Sequence, residues 1–175
     1  YSDFATFSFF GNKTITTGEG GMLFCSNKSK REEAKILRDH GMNPKKRYWH
    51  EYIGFNFRMT NMQAALGLAQ IENIEKILKN KKRVFEKYRE LLTPYGFSFN
   101  ADQEFDVDNS RWLITTSHKT IETFGVEKLE YQLKLLGIDI RKVFYPLSAM
   151  PIYQSFKNGP YTNSNFLNSS HICLP

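Results

Sequence analysis

The amino-acid sequence predicts an α/β fold, and three observations carry that expectation. The chain opens on an aromatic, β-prone run, Phe4-Ala5-Thr6-Phe7-Ser8-Phe9-Phe10. A helical spacing of apolar residues is kept through most of the stretch from Met62 to Leu92. Between Trp112 and Phe144 a strand, a helix and a strand follow in a compact run, the signature of a small α/β lobe. With 175 residues, 41% hydrophobic and 24% charged, the chain has enough apolar content for a packed core. That length suits one domain or a piece of a larger one.

The run from residue 4 to residue 10 reads as a buried strand. A second strand, Met22-Leu23-Phe24-Cys25, follows the glycine-rich turn that ends in Gly18-Glu19-Gly20-Gly21. Ser29 with Glu32 has capping-box spacing and predicts the start of a helix carrying Ala34, Ile36 and Leu37, with Gly41 as its C′ residue. Residues 42–59 read as irregular and unusually aromatic, with Tyr48, Trp49, His50, Tyr52, Phe55 and Phe57. Thr60 and Gln63 form a second capping box, opening a helical stretch towards Leu92 that is long enough to bend or break; Thr93-Pro94 and Gly96 stop it. Beyond it the pattern predicts a strand at Trp112 to Thr116, a helix from Val126 to Leu136 closed by Gly137, and a strand at Ile138 to Phe144. The Asn/Ser-rich segment from Asn163 to Ser170 reads as a loop. A chain that opens on Tyr1, just ahead of a buried strand, and closes on Pro175 is expected to be a segment of a longer polypeptide.

Composition narrows the function classes. No apolar run approaches the ~20 residues of a membrane span, and no signal-peptide pattern opens the chain, so the expectation is a cytoplasmic protein with no membrane partner. Cys25 and Cys173 are too few for a disulfide scaffold or a cysteine-rich metal site. His40, His50, His118 and His171 lack metal-ligand spacing, and Asp106 with Asp108 is a poor acid–base pair in a loop. No nucleophile elbow or Ser-His-Asp order is present. The net charge of +6 points to anionic company: nucleic acid, a nucleotide or phosphate. Lys76, Lys79, Lys81, Lys82, Arg83, Lys87 and Arg89 form a basic helix face. Its aromatics, Phe85 and Tyr88, fall on the apolar stripe, so base stacking there would cost the helix its core; no nucleic-acid partner is expected.

Three features could carry chemistry. Lys13 follows a hydrophobic strand and precedes the glycine-rich turn, where a lysine can lose solvation and act as a nucleophilic amine able to form a Schiff base; a solvated surface charge is the alternative. The glycines at 18, 20 and 21 permit positive φ and close backbone approach, for a strand connection or for a ligand, and match neither common phosphate-loop fingerprint. Asn56-Phe57-Arg58 with Thr60-Asn61 places an arginine and two amides ahead of a helix N-terminus, suited to an anionic group or to ordinary capping.

Taken in order, these pieces carry a resemblance. Ser8-Phe9-Phe10-Gly11-Asn12-Lys13-Thr14-Ile15-Thr16-Thr17-Gly18-Glu19-Gly20-Gly21-Met22 resembles the cofactor-lysine segment of the DegT/DnrJ/EryC1/StrS sugar aminotransferases. Lys46-Arg47-Tyr48-Trp49-His50 and Gly54-Phe55-Asn56-Phe57-Arg58-Met59-Thr60-Asn61, followed by Gln63-Ala64-Ala65, resemble a second signature of that family, in wording closest to its perosamine synthase branch. Gly137-Ile138-Asp139-Ile140-Arg141 and Phe144-Tyr145-Pro146-Leu147 through Met150-Pro151 are similar to its small-domain segment.

The resemblance implies the C-terminal portion of a fold-type I (aspartate aminotransferase-like) transferase that uses pyridoxal 5′-phosphate. Residues 1–70 would be the end of the large cofactor-binding domain and residues 71–175 an incomplete small domain. It implies transfer of an amino group from glutamate to a nucleotide-linked 4-keto-6-deoxy sugar, GDP-4-keto-6-deoxymannose giving GDP-perosamine, for surface polysaccharide such as O-antigen. Lys13 would carry the cofactor and move the proton in both half-reactions. Ser8 would bind the cofactor phosphate, and Asn56 the phosphate of a neighbouring subunit's cofactor, so a homodimer with shared sites is implied. Trp49, His50 and Arg58 would face the sugar or nucleotide. The family's acidic partner for the pyridine nitrogen, its ring-stacking aromatic and its other phosphate ligands precede the lysine by more than the twelve residues present here, so these 175 residues alone are expected to be inactive. The alternatives are a UDP- or dTDP-keto-sugar aminotransferase of the same family, or a non-catalytic remnant that serves as a binding module.

Overall fold

Strand β1 (Phe4–Ser8) and strand β2 (Gly21–Cys25) pair antiparallel, with Phe4 opposite Cys25 and Ser8 opposite Gly21. In the computed structural model, which describes residues 2–99 and 109–175, they begin the first of two units, Tyr1–Ile77 and Leu78–Pro175. Asp106 and Asp108 lie outside the described residues. β1 stops two residues short of the predicted run because Phe9 turns its backbone into the following loop. Its N–H donates to the Gly20 carbonyl at 2.9 Å, and its carbonyl accepts from the Thr17 N–H at 2.9 Å and the Thr16 hydroxyl at 3.0 Å. The strand is also not buried, contrary to the sequence expectation: Phe7 is 50% exposed and Phe24 54%. Successive strand side chains point to opposite faces, so burying both needs a layer on each side; of these two strands, only Cys25 is fully buried.

Helix α1 (Lys28–Arg38) begins one residue before Ser29, the predicted cap. Asn27 is the N-cap, its side-chain oxygen accepting from the Lys30 N–H at 3.1 Å. Ser29 therefore sits inside the first turn, and Glu32 pairs with Lys35 at 3.0 Å instead of closing a capping box. At the other end His40, not Gly41, is the left-handed C′ residue, with φ 61°; the Gly41 N–H reaches back to the Ile36 carbonyl at 2.9 Å. Helix α2 (Asn61–Ile71) has the predicted capping box: the Thr60 hydroxyl accepts from the Gln63 N–H, and the Gln63 side chain accepts from the Thr60 N–H. The long helical stretch breaks at Glu72 and Asn73, where the Asn73 side chain donates to the Ala69 carbonyl, a local bond that competes with the helix ladder. Helix α3 (Ile74–Leu92) resumes it and ends in a short 3-10 turn, Thr93–Tyr95, before Gly96 at φ 88°. Phe85 of its apolar stripe is buried and packs edge-on to Phe99, while Val84 of the same stripe stays 45% exposed.

The second unit is a four-stranded antiparallel sheet with helices. β3 (Ser98–Phe99), β4 (Thr115–Ser117), β5 (Arg141–Lys142) and β6 (His171–Cys173) lie in the order β3-β4-β6-β5. α4 (Lys119–Phe124) and α5 (Val126–Leu135) connect β4 to β5. Ile121, Val126, Ile140 and Ile172 form the core, with Leu129, Leu133 and Leu174 against it. Burial beside this core pushes the Cys173 thiol up from its ordinary range, opposed by Arg141.

Two strands are shorter than predicted. The one predicted at Trp112 starts only at Thr115, and the one predicted over residues 138–144 is reduced to Arg141–Lys142. The segment read as a loop is a helix, α6 (Thr162–Ser170). Some of its polar side chains bond backbone carbonyls: Asn168 donates to the Val143 and Phe144 carbonyls, and the Ser170 hydroxyl to the Phe166 carbonyl at 2.7 Å. Among the described residues no helix is long and apolar enough to cross a membrane, and no cluster of three potential metal ligands forms.

Candidate active site

Residues 9–20 form a loop closed on itself at its base. Beyond the two bonds to the Phe9 carbonyl, the Lys13 N–H donates to the Phe10 carbonyl at 3.0 Å and the Gly18 N–H to the Thr16 hydroxyl at 2.9 Å. Lys13 is half-buried near the middle of this loop. Gly20 completes the return at φ 138°, where a Cβ would come within 2.7 Å of the Thr17 hydroxyl and 3.0 Å of the Met59 methyl. The glycine-rich turn is thus a strand connection that needs its glycine both for φ and for room. Ser8 stands at the end of β1, its hydroxyl oxygen accepting from the Phe10 N–H at 3.4 Å and its own proton still available to a ligand.

One face of α2 docks on the loop. Gln70 brackets Thr16, its carbonyl oxygen accepting from the Thr16 N–H at 3.0 Å and its amide donating to the Thr16 carbonyl at 2.6 Å. Gln63 donates to the Glu19 carbonyl at 3.2 Å, and Gly67 lies against Thr17, whose methyl would be 3.0 Å from an added Cβ. Residues 63, 67 and 70 share one helix face by spacing alone. The sequence disclosed Gln63 as a cap; Gln70, seven residues further on, went unread.

The other predicted residues lie on a different loop, between α1 and α2. Two glycines let its strands of chain cross closely: a Cβ at Gly41 would lie 2.0 Å from the Tyr52 carbonyl oxygen, and one at Gly54 would lie 2.1 Å from the Gly41 nitrogen. On the loop's tip the Lys46 ammonium sits 3.6 Å from the centre of the Trp49 ring, and the Arg47 guanidinium 4.8 Å from that of Tyr48. His50 Nδ1 is 2.9 Å from the His40 carbonyl oxygen. A carbonyl only accepts, so Nδ1 carries the proton, and Nε2 is the acceptor of the neutral ring. Asn56 is exposed and pairs through its backbone with Asp39; Arg58 makes an ion pair with the Asp39 carboxylate at 3.3 Å. Lys46 stands in the second signature without a role of its own, whereas Asp39 escaped sequence reasoning because it meets Arg58 across 19 residues of chain through the fold rather than through a motif. All six predicted site residues fall in the first unit, Ser8 at the end of β1, Lys13 on the loop that follows it and the other four on the second loop.

A half-buried primary amine on the loop and a hydroxyl at the end of the strand before it can serve a phosphorylated pyridine aldehyde, the amine at its aldehyde carbon and the hydroxyl at its phosphate, so these two residues fit pyridoxal phosphate. The comparisons with known proteins agree in kind. The GDP-perosamine synthase of Caulobacter vibrioides is 40% identical over 152 residues, covering 86% of this chain and 41% of that protein. The structure of Helicobacter pylori PseC, an aminotransferase involved in the biosynthesis of pseudoaminic acid, superposes with a TM-score of 0.88 at 25% identity over 100% of this chain and 48% of that one. Spr1654 of Streptococcus pneumoniae in its PLP form matches with a TM-score of 0.86 at 24% identity, over 99% of this chain and 46% of that one, a likeness of fold alone. The chain spans less than half the length of these relatives. Its α/β architecture is part of the fold-type I transferase fold, and across residues 1–175 the chain belongs to the DegT/DnrJ/EryC1/StrS aminotransferase family.

Proposed function

We propose that this chain supplies the lysine-bearing part of a pyridoxal phosphate-dependent aminotransferase. The enzyme passes an amino group from glutamate to a nucleotide-linked 4-keto-6-deoxy sugar, GDP-4-keto-6-deoxymannose giving GDP-perosamine. The observation that carries the reading is Lys13: a half-buried amine on a loop whose base is tied at Phe9 and Thr16, in a chain 40% identical to a GDP-perosamine synthase. Residues 1–70 then belong to the large domain and 71–175 to the small one, in a cytoplasmic homodimer with shared sites.

Bound pyridoxal phosphate supplies an electron sink that stabilises negative charge on the carbon next to the transferred nitrogen. Every other task falls to side chains. The Lys13 amine would hold the cofactor's aldehyde carbon; with the amino donor in place it would be free to take the proton from the donor's α-carbon, and with the keto sugar in place it would deliver a proton to the carbon being aminated. The same amine would serve as base and as acid within each half, the donor leaving as its keto acid and the oxygen of the sugar's ketone leaving as water. The Ser8 hydroxyl would donate to the cofactor phosphate, and Asn56 would hold the phosphate in the partner subunit's site. Arg58, held by Asp39, offers a guanidinium to the diphosphate, while Trp49 and His50 offer a ring face and an acceptor to the sugar or base. A nucleotide diphosphate also suits a chain of net charge +6.

The test is borohydride reduction of the full-length protein loaded with pyridoxal phosphate, followed by peptide mapping. The expected result is a phosphopyridoxyl mass on Lys13 that disappears in Lys13→Ala, with amino transfer falling at least roughly a hundredfold. A folded, full-length protein without that adduct overturns the reading in favour of a non-catalytic binding module. A panel of GDP-, UDP- and dTDP-keto sugars then separates the perosamine assignment from the related nucleotide specificities.

A further inference from the structure

The geometry points to Gln70 as the positioning residue for the Lys13 amine, an inference that rests on the proposed role of Lys13. The Gln70 amide has one acceptor and two donor hydrogens, and all are engaged: its oxygen accepts from the Thr16 N–H at 3.0 Å, and its nitrogen donates to the Thr16 carbonyl at 2.6 Å and to the Leu66 carbonyl at 3.0 Å. Rotating the amide by half a turn would set its NH2 against an N–H and its oxygen against two carbonyls, so only one orientation is satisfied. Gln70 thus treats Thr16 as a neighbouring strand would, bonding both its backbone groups across 54 residues of sequence.

Thr16 is the point at which the lysine loop closes. Its hydroxyl donates to the Phe9 carbonyl and accepts from the Gly18 N–H, and the next residue, Thr17, also donates to Phe9. Lys13 lies three residues before this junction, with its own N–H on Phe10. Gln63 and Gly67 on the same α2 face meet the loop at Glu19 and Thr17, but only Gln70 bonds the closing residue itself. A catalytic amine must be delivered within a fraction of an ångström of the reacting carbon, and misplacement by ~1 Å can cost on the order of a hundredfold in rate. The amide at position 70 sets that placement without touching cofactor or substrate.

The experiment compares the full-length wild type with Gln70→Glu and Gln70→Met, each loaded with pyridoxal phosphate. Glutamate has the same shape, but its carboxylate accepts from Thr16 and turns an oxygen toward two carbonyls; methionine keeps the length and makes neither bond. Three readouts are taken: backbone hydrogen exchange over residues 13–18, the pH at which the visible band of the lysine-bound cofactor titrates, and the single-turnover rate with glutamate. Both variants are expected to exchange the Thr16 and Thr17 amides at least roughly tenfold faster and to shift the titration midpoint. The single-turnover rate should fall about tenfold to a hundredfold, with the half-saturating glutamate concentration within about threefold of wild type. Gln70→Glu should recover part of the rate at low pH, where the protonated carboxyl regains a donor for the Thr16 carbonyl; Gln70→Met should not. Wild type labelled at Lys13, with both variants matching it in midpoint and rate, would overturn the assignment and leave Gln70 a structural contact. Wild type not labelled at Lys13 would overturn the lysine reading itself, and this inference with it.

Discussion

Gly54 carries a larger constraint than its loop position suggests. Its backbone passes so close to Gly41 that an added Cβ would lie 2.1 Å from the Gly41 nitrogen and 2.6 Å from the His40 carbonyl carbon. Both obstacles are backbone, so no side-chain rotation relieves them. Gly54→Ala is therefore expected to lower stability by about 3 kcal/mol, at the upper end of ordinary single substitutions, and to open the loop that presents Trp49, His50 and Arg58. Gly18→Ala is the control: φ is +79° there, yet nothing lies within 4 Å of the added Cβ, so only the left-handed backbone cost of about 1 kcal/mol applies. Urea unfolding of the two variants should rank them in that order. Equal losses would mean that backbone conformation, rather than the close crossing of residues 40–41 and 54, decides what these positions accept.

At the scale of elements, the sequence disclosed whatever rests on local chemistry and missed what depends on partners far along the chain. The capping box at Thr60 and Gln63 was legible because donor and acceptor lie three residues apart, and Gly137 (φ 76°) closes α5 for the same local reason. Helix α6 was not legible: Asn168 is satisfied by carbonyls of Val143 and Phe144, some 25 residues away, and propensity alone favours a loop for Asn and Ser. Within the candidate site, Lys13 was proposed from its neighbours in sequence, whereas the Gln70 clamp and the Asp39–Arg58 pair arise only on folding.

The start of α1 shows how two good local signals compete. Asn27 and Ser29 are both strong capping residues, and Asn27 prevails with its oxygen on the Lys30 N–H. Asn27→Ala should therefore cost about 1 kcal/mol, and Ser29→Ala, inside the first turn, only a few tenths. Thermal melts of the two variants decide between the caps, and a larger loss at Ser29 would restore the helix start read from the sequence.

Over the whole molecule the first unit leaves an unusual amount of apolar side chain in water. Phe4, Phe7, Met22, Leu23 and Phe24 of the two-stranded sheet are about half exposed or more, and on α2 Met62 is 83% exposed with Leu66, Leu68 and Ile71 also open. β1 and β2 pair only with each other among the described residues, so each also presents an unpaired strand edge. Apolar area of this extent, joined to open edges, drives association whatever the sign of the net charge. A charge of +6 spread over 175 residues opposes it only weakly at physiological salt, where screening acts within about 8 Å. The 175-residue polypeptide is thus expected to bind a hydrophobic dye strongly and to sediment as a concentration-dependent mixture at roughly 10–100 µM. Phe24→Lys combined with Leu68→Lys places a charge on the sheet and on the helix, at two positions with no part in the lysine loop, and should reduce both signals several-fold while leaving the far-ultraviolet circular dichroism unchanged. A dye-silent monomer from the unsubstituted chain would mean that these faces cover one another in solution, and the sheet would then be a closed element of this unit rather than one that takes its second layer from elsewhere.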